Sequence, residues 1–269
     1  MKRSIGLILC GLLLLGMASA ATMDEYTLAP FPFDEQAMLS LTFGEQAEKA
    51  KVDDREYLFY DLPGEDGAPF CGLDDTAGFG QMRLTVYTAL VATENHEPYV
   101  YQNVEPSGTA KCALTAQEAQ ARAAAWLAQL GAGETYLQSV TAYGRISGYS
   151  AGYMVAFGQQ LNGVPVYWAA SLHMDDMAAY PESNRLEVCI GDSGLTMIFG
   201  HWSAFTPAKQ GVQVITQEEA VAAFSALGEK AASAELCYLL TGTQEKAVAV
   251  PAYRFQNRFL SAETGTVLQ

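Results

Sequence analysis

Leu114-Thr115-Ala116-Gln117-Glu118-Ala119 and Ile215-Thr216-Gln217-Glu218-Glu219-Ala220 are two versions of one short pattern, and they decide the fold. In each, an apolar residue precedes a threonine, and a glutamate follows three positions after that threonine. This spacing predicts a capping box, in which the threonine side chain accepts from the glutamate backbone and the glutamate side chain reaches back to the threonine backbone. Each motif therefore predicts the first turn of a helix.

An apolar stripe at helical spacing follows each motif and predicts the face that packs on the rest of the protein. The stripe consists of Ala119, Ala123, Trp126, Leu127 and Leu130 in the first helix, and of Ala220, Phe224 and Leu227 in the second. Glycines then favour the end of each helix, at Gly131 and Gly133 and at Gly228.

The repeat continues beyond the helices. Val164-Pro165-Val166-Tyr167 matches Val250-Pro251-Ala252-Tyr253, and Ile190-Gly191-Asp192-Ser193-Gly194-Leu195 matches Ser261-Ala262-Glu263-Thr264-Gly265-Thr266. The first pair predicts strands in which proline marks a strand start or an edge strand. The second pair predicts a tight turn followed by a strand. The chain is therefore expected to contain two repeated units, one over residues 113–213 and a shorter one over 214–269.

Further strands fill the longer first unit. Leu137 to Arg145 predicts one strand, and the alternation of Tyr153, Val155 and Phe157 predicts another. Asn162-Gly163 is typical of a type I′ hairpin turn and leads into a strand over Val164 to Leu172. Each unit is thus a helix packed on an antiparallel sheet, and the predicted fold class is α+β.

The first twenty residues have the layout of a secretory signal peptide. Lys2 and Arg3 precede an apolar run, and Ala18-Ser19-Ala20 supplies small residues for cleavage before Ala21. The run is short for a membrane span, which needs about 20 residues. The prediction is an exported protein, extracellular or associated with the cell envelope. An uncleaved anchor and lipidation at Cys10 stay open as alternatives.

Residues 21–112 form an acidic, strand-rich N-terminal region. Strands are predicted over Arg55 to Asp61 and Met82 to Val91, with a third over Tyr99 to Val104, and Pro63 to Asp75 reads as a loop. Residues 21–110 carry 17 acidic and 4 basic side chains, whereas residues 111–269 carry 13 and 9. The acidity is interpreted as a solvated surface or as a docking face for a basic partner or a cation.

Composition excludes several classes of protein. The 269 residues include 30 acidic and 15 basic side chains, so the formal net charge is −15, which disfavours a nucleic-acid binder built on a basic face. Half of the chain is apolar and 17% is charged, which excludes a disordered chain. No GxGxxG or Walker pattern is present, and no cofactor is predicted.

Four cysteines remain after the signal segment: Cys71, Cys112, Cys189 and Cys237. An even number in an exported chain allows two disulfides with three connectivities. The spacings are unlike a CxxC metal pair. Free buried thiols and disulfides are both left open.

No catalytic residue is predicted. Gly191-Asp192-Ser193-Gly194 is similar to the nucleophile loop of trypsin-like serine proteases, which needs a histidine base and an orienting acid. None of His96, His173 and His201 lies in a matching motif, and the repeat explains the loop as a turn. Paired carboxylates for glycoside hydrolysis stay open, because their pairing is spatial.

Metal binding is not predicted either, although two alternatives are left open. His173 with Asp175 or Asp176 could hold zinc. Calcium could bind the acids around the Pro63 to Asp75 loop, although the EF-hand pattern is absent. These acids are Asp61, Glu65, Asp66, Asp74 and Asp75.

Aromatic residues are frequent in and between the antiparallel strands predicted for the first unit. The candidate partner-binding residues are Tyr143, Tyr149, Tyr153 and Trp168, with Tyr167 beside them. Aromatics between Gly and Ser residues often form recognition surfaces, and they also fill strands for packing alone. If exposed, these aromatic residues would form a groove for a partner or peptide. The partner would bind by adding a strand to the sheet at the edge that the proline indicates.

The two units resemble PepSY-type modules, in which a helix opening with (L/I)T-x-x-E-A lies on an antiparallel sheet with a G-x-P-V-Y strand and a D-x-G turn. The stretch Leu161-Asn162-Gly163-Val164-Pro165-Val166-Tyr167 carries the resemblance best, and the second unit lacks the Asn-Gly before Val250. The resemblance covers roughly residues 113–269. The paired arrangement is similar to exported YycH/YycI-type regulators of a cell-wall histidine kinase, and PepSY modules also occur in metalloprotease propeptides.

The resemblance implies a non-catalytic extracytoplasmic binding protein that regulates or inhibits an envelope partner, such as a sensor kinase or a protease. No catalytic residue is carried over from the family. Two alternatives stand beside this expectation. One is a secreted ligand-binding or hydrolytic enzyme that uses the acidic N-terminal region, and the other is a purely structural envelope protein.

Overall fold

The computed structural model describes residues 21–53, 58–64, 70–74, 80–85, 112–143, 151–168, 184–192, 194–231, 233–243, 246–256 and 258–268. Within these ranges the chain forms three α-helices, one short 3-10 helix and thirteen strands. The predicted α+β class is confirmed. In this described part, no helix is both long enough and apolar enough to cross a membrane.

The helices are α1 (Glu35–Phe43), α2 (Ala116–Gln129) and α3 (Gln217–Ala226), with a 3-10 helix over Gly44–Lys49. The strands of the N-terminal region are β1 (Thr22–Pro30), β2 (Lys51–Asp53), β3 (Leu58–Asp61), β4 (Phe70–Asp74) and β5 (Gly80–Thr85). Those between α2 and α3 are β6 (Thr135–Tyr143), β7 (Gly152–Leu161), β8 (Val164–Trp168), β9 (Arg185–Gly191) and β10 (Gly194–Gln213). Strands β11 (Glu235–Thr243), β12 (Lys246–Phe255) and β13 (Arg258–Ser261) follow α3.

The long strand β10 connects two parts of the sheet. Its first half pairs with β9 on one side and β5 on the other, and from β5 the sheet continues through β4 and β3 to β2. Its second half pairs with β1, which also pairs with β12 at Tyr26 and Thr27. The pairings therefore close a ring in the order β1-β12-β11-β8-β7-β9-β10. All of these pairs are antiparallel except β8 with β11.

The largest core lies between helices α1 and α2 and one face of the sheet. Helix α2 contributes most of its predicted stripe, because Ala119, Ala123, Leu127 and Leu130 are buried while Trp126 is half-buried. Helix α1 adds Met38 and Phe43, and the strands contribute Val155, Phe157, Leu186, Val188, Ile190, Ile198 and Trp202. A smaller core lies under α3.

Both predicted capping boxes are confirmed. The Thr115 side chain accepts from the Glu118 backbone N–H at 3.2 Å, and the Thr115 backbone N–H donates to the Glu118 carboxylate at 2.8 Å. Thr216 and Glu219 make the same two bonds at 3.2 Å and 2.8 Å. These bonds explain why α2 and α3 begin where they do.

The helix stripe of α3 is shorter than predicted. Ala220 and Phe224 are buried, whereas Leu227 is 50% exposed, so its assignment to the packed face was wrong. Helix α3 ends at Ala226, and the chain leaves the helical path at Leu227, ahead of Gly228 with φ of +84°. Leu227 is the C-cap residue of α3, whereas Leu130, the C-cap residue of α2 with a similar backbone conformation, is fully buried.

The hairpin between β7 and β8 forms as the Asn-Gly signal predicts. Asn162 and Gly163 both have positive φ, 54° and 75°, as a type I′ turn requires. Pro165 is the second residue of β8, which fits a proline at a strand start. Beyond the hairpin, β8 leaves β7 and runs parallel to β11.

Pro251 is not on an edge strand. It lies inside β12, which pairs with β11 from Lys246 to Arg254. On the other side, β12 pairs with β1 at Val248 and Ala249 and with β13 from Ala252 onward. Pro251 lies between the residues that pair with β1 and those that pair with β13. Its missing backbone N–H therefore removes no hydrogen bond between strands at that position. The two Val-Pro segments thus occupy different positions, one in β8 and one in β12.

The N-terminal region contains more structure than the sequence predicted. Strand β4 lies within the stretch Pro63 to Asp75 that was expected to be a loop, and it pairs with β3 and β5. Strand β1 and helix α1 were not predicted. Asp34 caps α1 by accepting from the Ala37 N–H at 2.8 Å. The strand expected over Tyr99 to Val104 lies outside the described residues.

Removing either threonine cap is expected to destabilise the protein. Thr115→Ala and Thr216→Ala should each lower the free energy of unfolding by about 1 kcal/mol, because each leaves a helix N-terminal N–H without its acceptor. Urea denaturation followed by circular dichroism would measure this. Thr206→Ala, at an exposed threonine of β10, is the control and should stay within about 0.5 kcal/mol of wild type. Equal effects from Thr206 and the caps would contradict the prediction.

Candidate functional site

The four predicted partner-binding aromatics do not form one surface. Tyr143 is buried with Cys189 and Met197, and Trp168 is buried among residues of β1, β11 and β12. Tyr153 is half-buried against the large core, and Tyr149 lies outside the described residues. Tyr143 and Trp168 therefore serve packing, and Tyr153 is the described candidate with a partly exposed side chain.

Trp168 instead belongs to a buried polar cluster that the sequence did not reveal. Its indole Nε1 donates to Asn184 Oδ1 at 2.9 Å, and the Asn184 amide donates to Gln159 Oε1. The Gln159 side chain also donates to the Ser203 carbonyl at 2.7 Å and accepts from the Ser203 N–H at 3.2 Å. The Gln159 backbone N–H donates to the Asn184 carbonyl at 2.8 Å.

This cluster lies where β8 departs from β7 toward β11. It therefore connects four parts of the closed ring: β7, β8, the start of β9 and the middle of β10. Hydrogen bonds between buried side chains fix such a junction in one geometry, because each unsatisfied group would cost about 1–3 kcal/mol. The cluster positions strands and offers no reactive group.

Further polar side chains lie on β9 and β10. They are Arg185 and Glu187 on β9 and His201 on β10. The His201 ring contacts the Trp168 ring edge-on, with 5.1 Å between centroids. Glu187 is 3% exposed and forms an ion pair with Arg185, a half-buried side chain. Burial raises the pKa of Glu187, and the neighbouring guanidinium partly offsets that rise. Within the described residues, Glu187 Oε2 and the Ser203 hydroxyl have no hydrogen-bond partner.

The raised pKa of Glu187 makes stability depend on pH. In the unfolded chain this carboxyl loses its proton above about pH 4.3, whereas the folded protein holds the proton to higher pH. The contribution of Glu187 to the free energy of unfolding therefore falls as the pH rises from the pKa of the unfolded chain through the higher pKa of the folded protein. The stability of Glu187→Gln relative to wild type should therefore rise as the pH is raised from acidic to neutral, as measured by the urea midpoints of the two proteins. Glu45→Gln, the same substitution at an exposed site, is the control for the change of residue itself, and a flat difference for Glu187→Gln would contradict the assignment.

The Asp192 turn has a structural role in the described residues. Its carboxylate accepts from the Ala113 N–H at 2.7 Å and from the Cys112 thiol at 3.0 Å. These two bonds, the thiol first, hold the pKa of Asp192 below its usual range. Gly191 and Gly194 pair across the turn and β10 follows, as predicted for the first unit. After the matching Glu263-Thr264-Gly265 segment the predicted strand is replaced by an isolated bridge between Val267 and Leu260. Ser193, His96 and His173 lie outside the described residues, and His201 lies beside Trp168.

A second polar group lies around Tyr167. The Tyr167 hydroxyl donates to the Glu235 carboxylate at 3.2 Å, and the Arg254 guanidinium lies over the Tyr167 ring, 4.3 Å from its centroid. Burial raises the pKa of Tyr167, and a hydrogen bond with Tyr136 raises it further. The contacts connect β8 to β11 and β12, so this group also holds strands together.

All four cysteines of the described part are free thiols. Cys71, Cys189 and Cys237 are buried, and Cys112 is half-buried. Burial raises the pKa of Cys71 to about 12, so this thiol is protonated and unreactive at neutral pH. Of the two alternatives from the sequence, the structure shows free thiols.

Metal ligands do not gather in the described part of the chain, where no group of three or more His, Cys, Asp or Glu side chains could hold a metal ion. Glu65, Asp66 and Asp75 of the calcium alternative lie outside the described residues, as do His173, Asp175 and Asp176 of the zinc alternative.

Comparison with known proteins places the chain by fold. No protein-family model matches it, and no curated protein matches it by sequence. The crystal structure of an uncharacterized protein from Eubacterium rectale is similar, with a TM-score of 0.57 and 9% sequence identity. The similarity covers 93% of this chain and 86% of that one. At this identity the likeness is one of α+β fold alone.

Proposed function

We propose that this chain is an exported, non-catalytic binding protein that regulates or inhibits an envelope partner, such as a sensor kinase or a protease, through tandem PepSY-like units. The observation that carries the proposal is the order of elements after each capping box. Helix α2 precedes β6, β7 and β9, which are neighbours in that order. Helix α3 precedes β11, β12 and β13, which are also neighbours in that order.

The packing of each helix supports the same comparison. The α2 stripe lies in a core with Val155 and Phe157 of β7. The α3 residue Phe224 stacks on Phe255 of β12, with ring centroids 4.2 Å apart and planes within 3°. In this comparison β12 corresponds to β7, and the hairpin to β8 is an addition in the first unit. The two Val-Pro segments that match in sequence, in β8 and β12, are therefore not equivalent strands. In its described residues, such a module presents a helix packed on a sheet, which suits a binding role.

The positions of the acidic residues favour binding over the enzyme alternative. The described acids of the N-terminal region have exposed or half-buried side chains, so none of these is enclosed in the interior: Asp24, Glu25, Asp34, Glu35, Glu45, Glu48, Asp53 and Asp61. An enzyme of the alternative class would bring carboxylates together in an enclosed pocket.

In-cell crosslinking of the tagged full-length chain, followed by mass spectrometry, tests the proposal. We expect one dominant membrane or secreted enzyme to be captured, and we expect the purified chain to change that enzyme's activity. A tagged exported protein of unrelated fold is the control. The proposal fails if nothing is captured above this control. It also fails if the purified chain turns over a substrate and loses that activity on a point substitution.

A further inference from the structure

Strand β6 presents an unusual edge. It is nine residues long and pairs with β7 on one side, and no described strand pairs with its other side. Its sequence, TYLQSVTAY, contains no charged residue, although the whole chain has a formal net charge of −15. Leu137 is 40% exposed on this strand. A long, uncharged edge is a template for pairing with another chain.

Two other described edge strands, β2 and β13, are protected in the usual ways. Strand β2 has three residues, and two of them are the charged Lys51 and Asp53. Strand β13 has four residues and begins with the charged Arg258. Short length and charge both discourage strand addition. Strand β6 has neither protection, apart from one bulge between Leu137 and Ser139.

The hydrogen bonds of β7 show which β6 backbone groups face outward. The Gln159 N–H donates toward β9, to the Asn184 carbonyl, and the Gln160 N–H donates toward β6, to the Glu134 carbonyl. Because backbone direction alternates along a strand, odd-numbered residues of β7 face β9. The β6 residues opposite those odd positions therefore point their N–H and C=O groups away from β7: Thr135, Leu137, Val140 and Ala142.

We propose that the outer edge of β6 docks an extended, uncharged segment of the partner protein, which joins the sheet as an additional strand. The inference rests on the proposed binding function and names the surface that performs it. An extended backbone satisfies the outward groups, and uncharged side chains match the uncharged row on β6. Because the rest of the chain is acidic, basic residues flanking that segment would strengthen the contact.

A second copy of this chain is a poorer occupant. Two copies joined at β6 would bring together two molecules that each carry a formal net charge of −15, and like charges oppose that approach. A partner segment with basic flanks has the opposite balance. Charge therefore selects a different protein as the occupant.

Two substitutions block the edge in different ways. Ala142→Pro removes one outward N–H and places a ring where a new strand would lie, while the bonds from β6 to β7 are kept. Leu137→Lys adds a charge to the uncharged row. Val52→Lys is the matched control, because Val52 is 50% exposed on the edge strand β2. Circular dichroism and urea denaturation establish that each variant folds.

Site-specific photocrosslinking tests the proposal in the full-length chain. Benzoylphenylalanine replaces Leu137 in one variant and Val52 in another, and captured proteins are identified by mass spectrometry. We expect the enzyme found in the general crosslinking experiment to be captured from position 137 and not from 52. Ala142→Pro and Leu137→Lys should each reduce its affinity for the purified chain about tenfold. Binding should also slow hydrogen exchange at the amides of Leu137, Val140 and Ala142.

The outcomes separate this inference from the proposed function. If general crosslinking captures a partner whose binding neither edge substitution weakens, the binding function stands and docking at β6 is wrong. Equal capture from positions 137 and 52 also overturns it, as does capture of a second copy of this chain from position 137. If general crosslinking captures no partner at all, the proposed function and this inference both fail.

Discussion

Trp202→Ala is expected to lower the free energy of unfolding by about 3–5 kcal/mol, the usual range for removing a large buried aromatic side chain. Trp202, a residue of β10, is fully buried in the large core. Its indole Nε1 donates to the Ala132 carbonyl at 2.7 Å, which secures the chain just after α2 ends. The substitution leaves a cavity and deprives that carbonyl of its side-chain donor. Urea denaturation of the chain from Ala21 onward would measure the loss.

Trp202→Phe separates the two contributions. It keeps most of the ring volume and removes the hydrogen bond, so the expected loss is smaller, about 1–2 kcal/mol. Val52→Ala, on the exposed face of β2, is the surface control and should change stability by less than about 0.5 kcal/mol. A loss below about 1 kcal/mol for Trp202→Ala would show that Trp202 is not a core anchor.

Asn184→Leu is expected to cost about 2–4 kcal/mol, the second large effect. The side chain is fully buried, and it accepts from Trp168 Nε1 and donates to Gln159 Oε1. Leucine has similar size but leaves both partners without those bonds inside the protein. Thermal and urea denaturation would measure the effect. Gln160→Ala is the neighbouring control, because its amide contacts the exposed turn at Gly163 and little stability should be lost.

A double-mutant cycle tests whether Asn184 acts through Trp168. Trp168→Phe removes the indole donor, so Asn184→Leu should cost less in that background than in wild type. Additive losses for the two substitutions would mean that the 2.9 Å contact contributes no coupling, and the cluster would then be a set of independent packing residues.

Local signals in the sequence predicted local structure. The threonine and glutamate of each capping box lie within one turn of each other, and both boxes form as expected. Asn162-Gly163 likewise specified its turn through the positive φ that both residues adopt. These motifs involve residues only a few positions apart, so the rest of the fold does not need to be known.

Pairings between distant segments could not be predicted in this way. The proline of Val250-Pro251 predicts a strand start or an edge strand, yet Pro251 lies inside β12, between the residues that pair with β1 and those that pair with β13. No local pattern identifies that position. Strand β4 is short, and the residues around it are Gly, Pro and acidic residues. This composition is typical of turns, so the sequence predicted a loop there. Its place in the sheet depends on pairing with β3 and β5, which lie on either side.

The candidate site was the least predictable feature. Tyr143 and Trp168 have the composition of a recognition surface, and only the fold shows that both are buried. Gln159, Asn184 and Ser203 come together from three separate segments. The sequence signal for this cluster is Gln159, a polar residue that follows the alternating Tyr153, Val155 and Phe157 at the same spacing. The absence of charge from β6 was visible in the sequence, but its position at an edge was not.

The closed ring of strands also constrains when this protein can acquire its structure. Strand β1 begins at Thr22 and finds its partners in β10 and at Ala249 of β12, near the other end of the sequence. During synthesis, which proceeds from the N-terminus, β1 cannot complete its pairing until almost the whole chain has emerged. Contacts so far apart along the chain slow folding. Folding is therefore expected to be completed late, after release of the final strands.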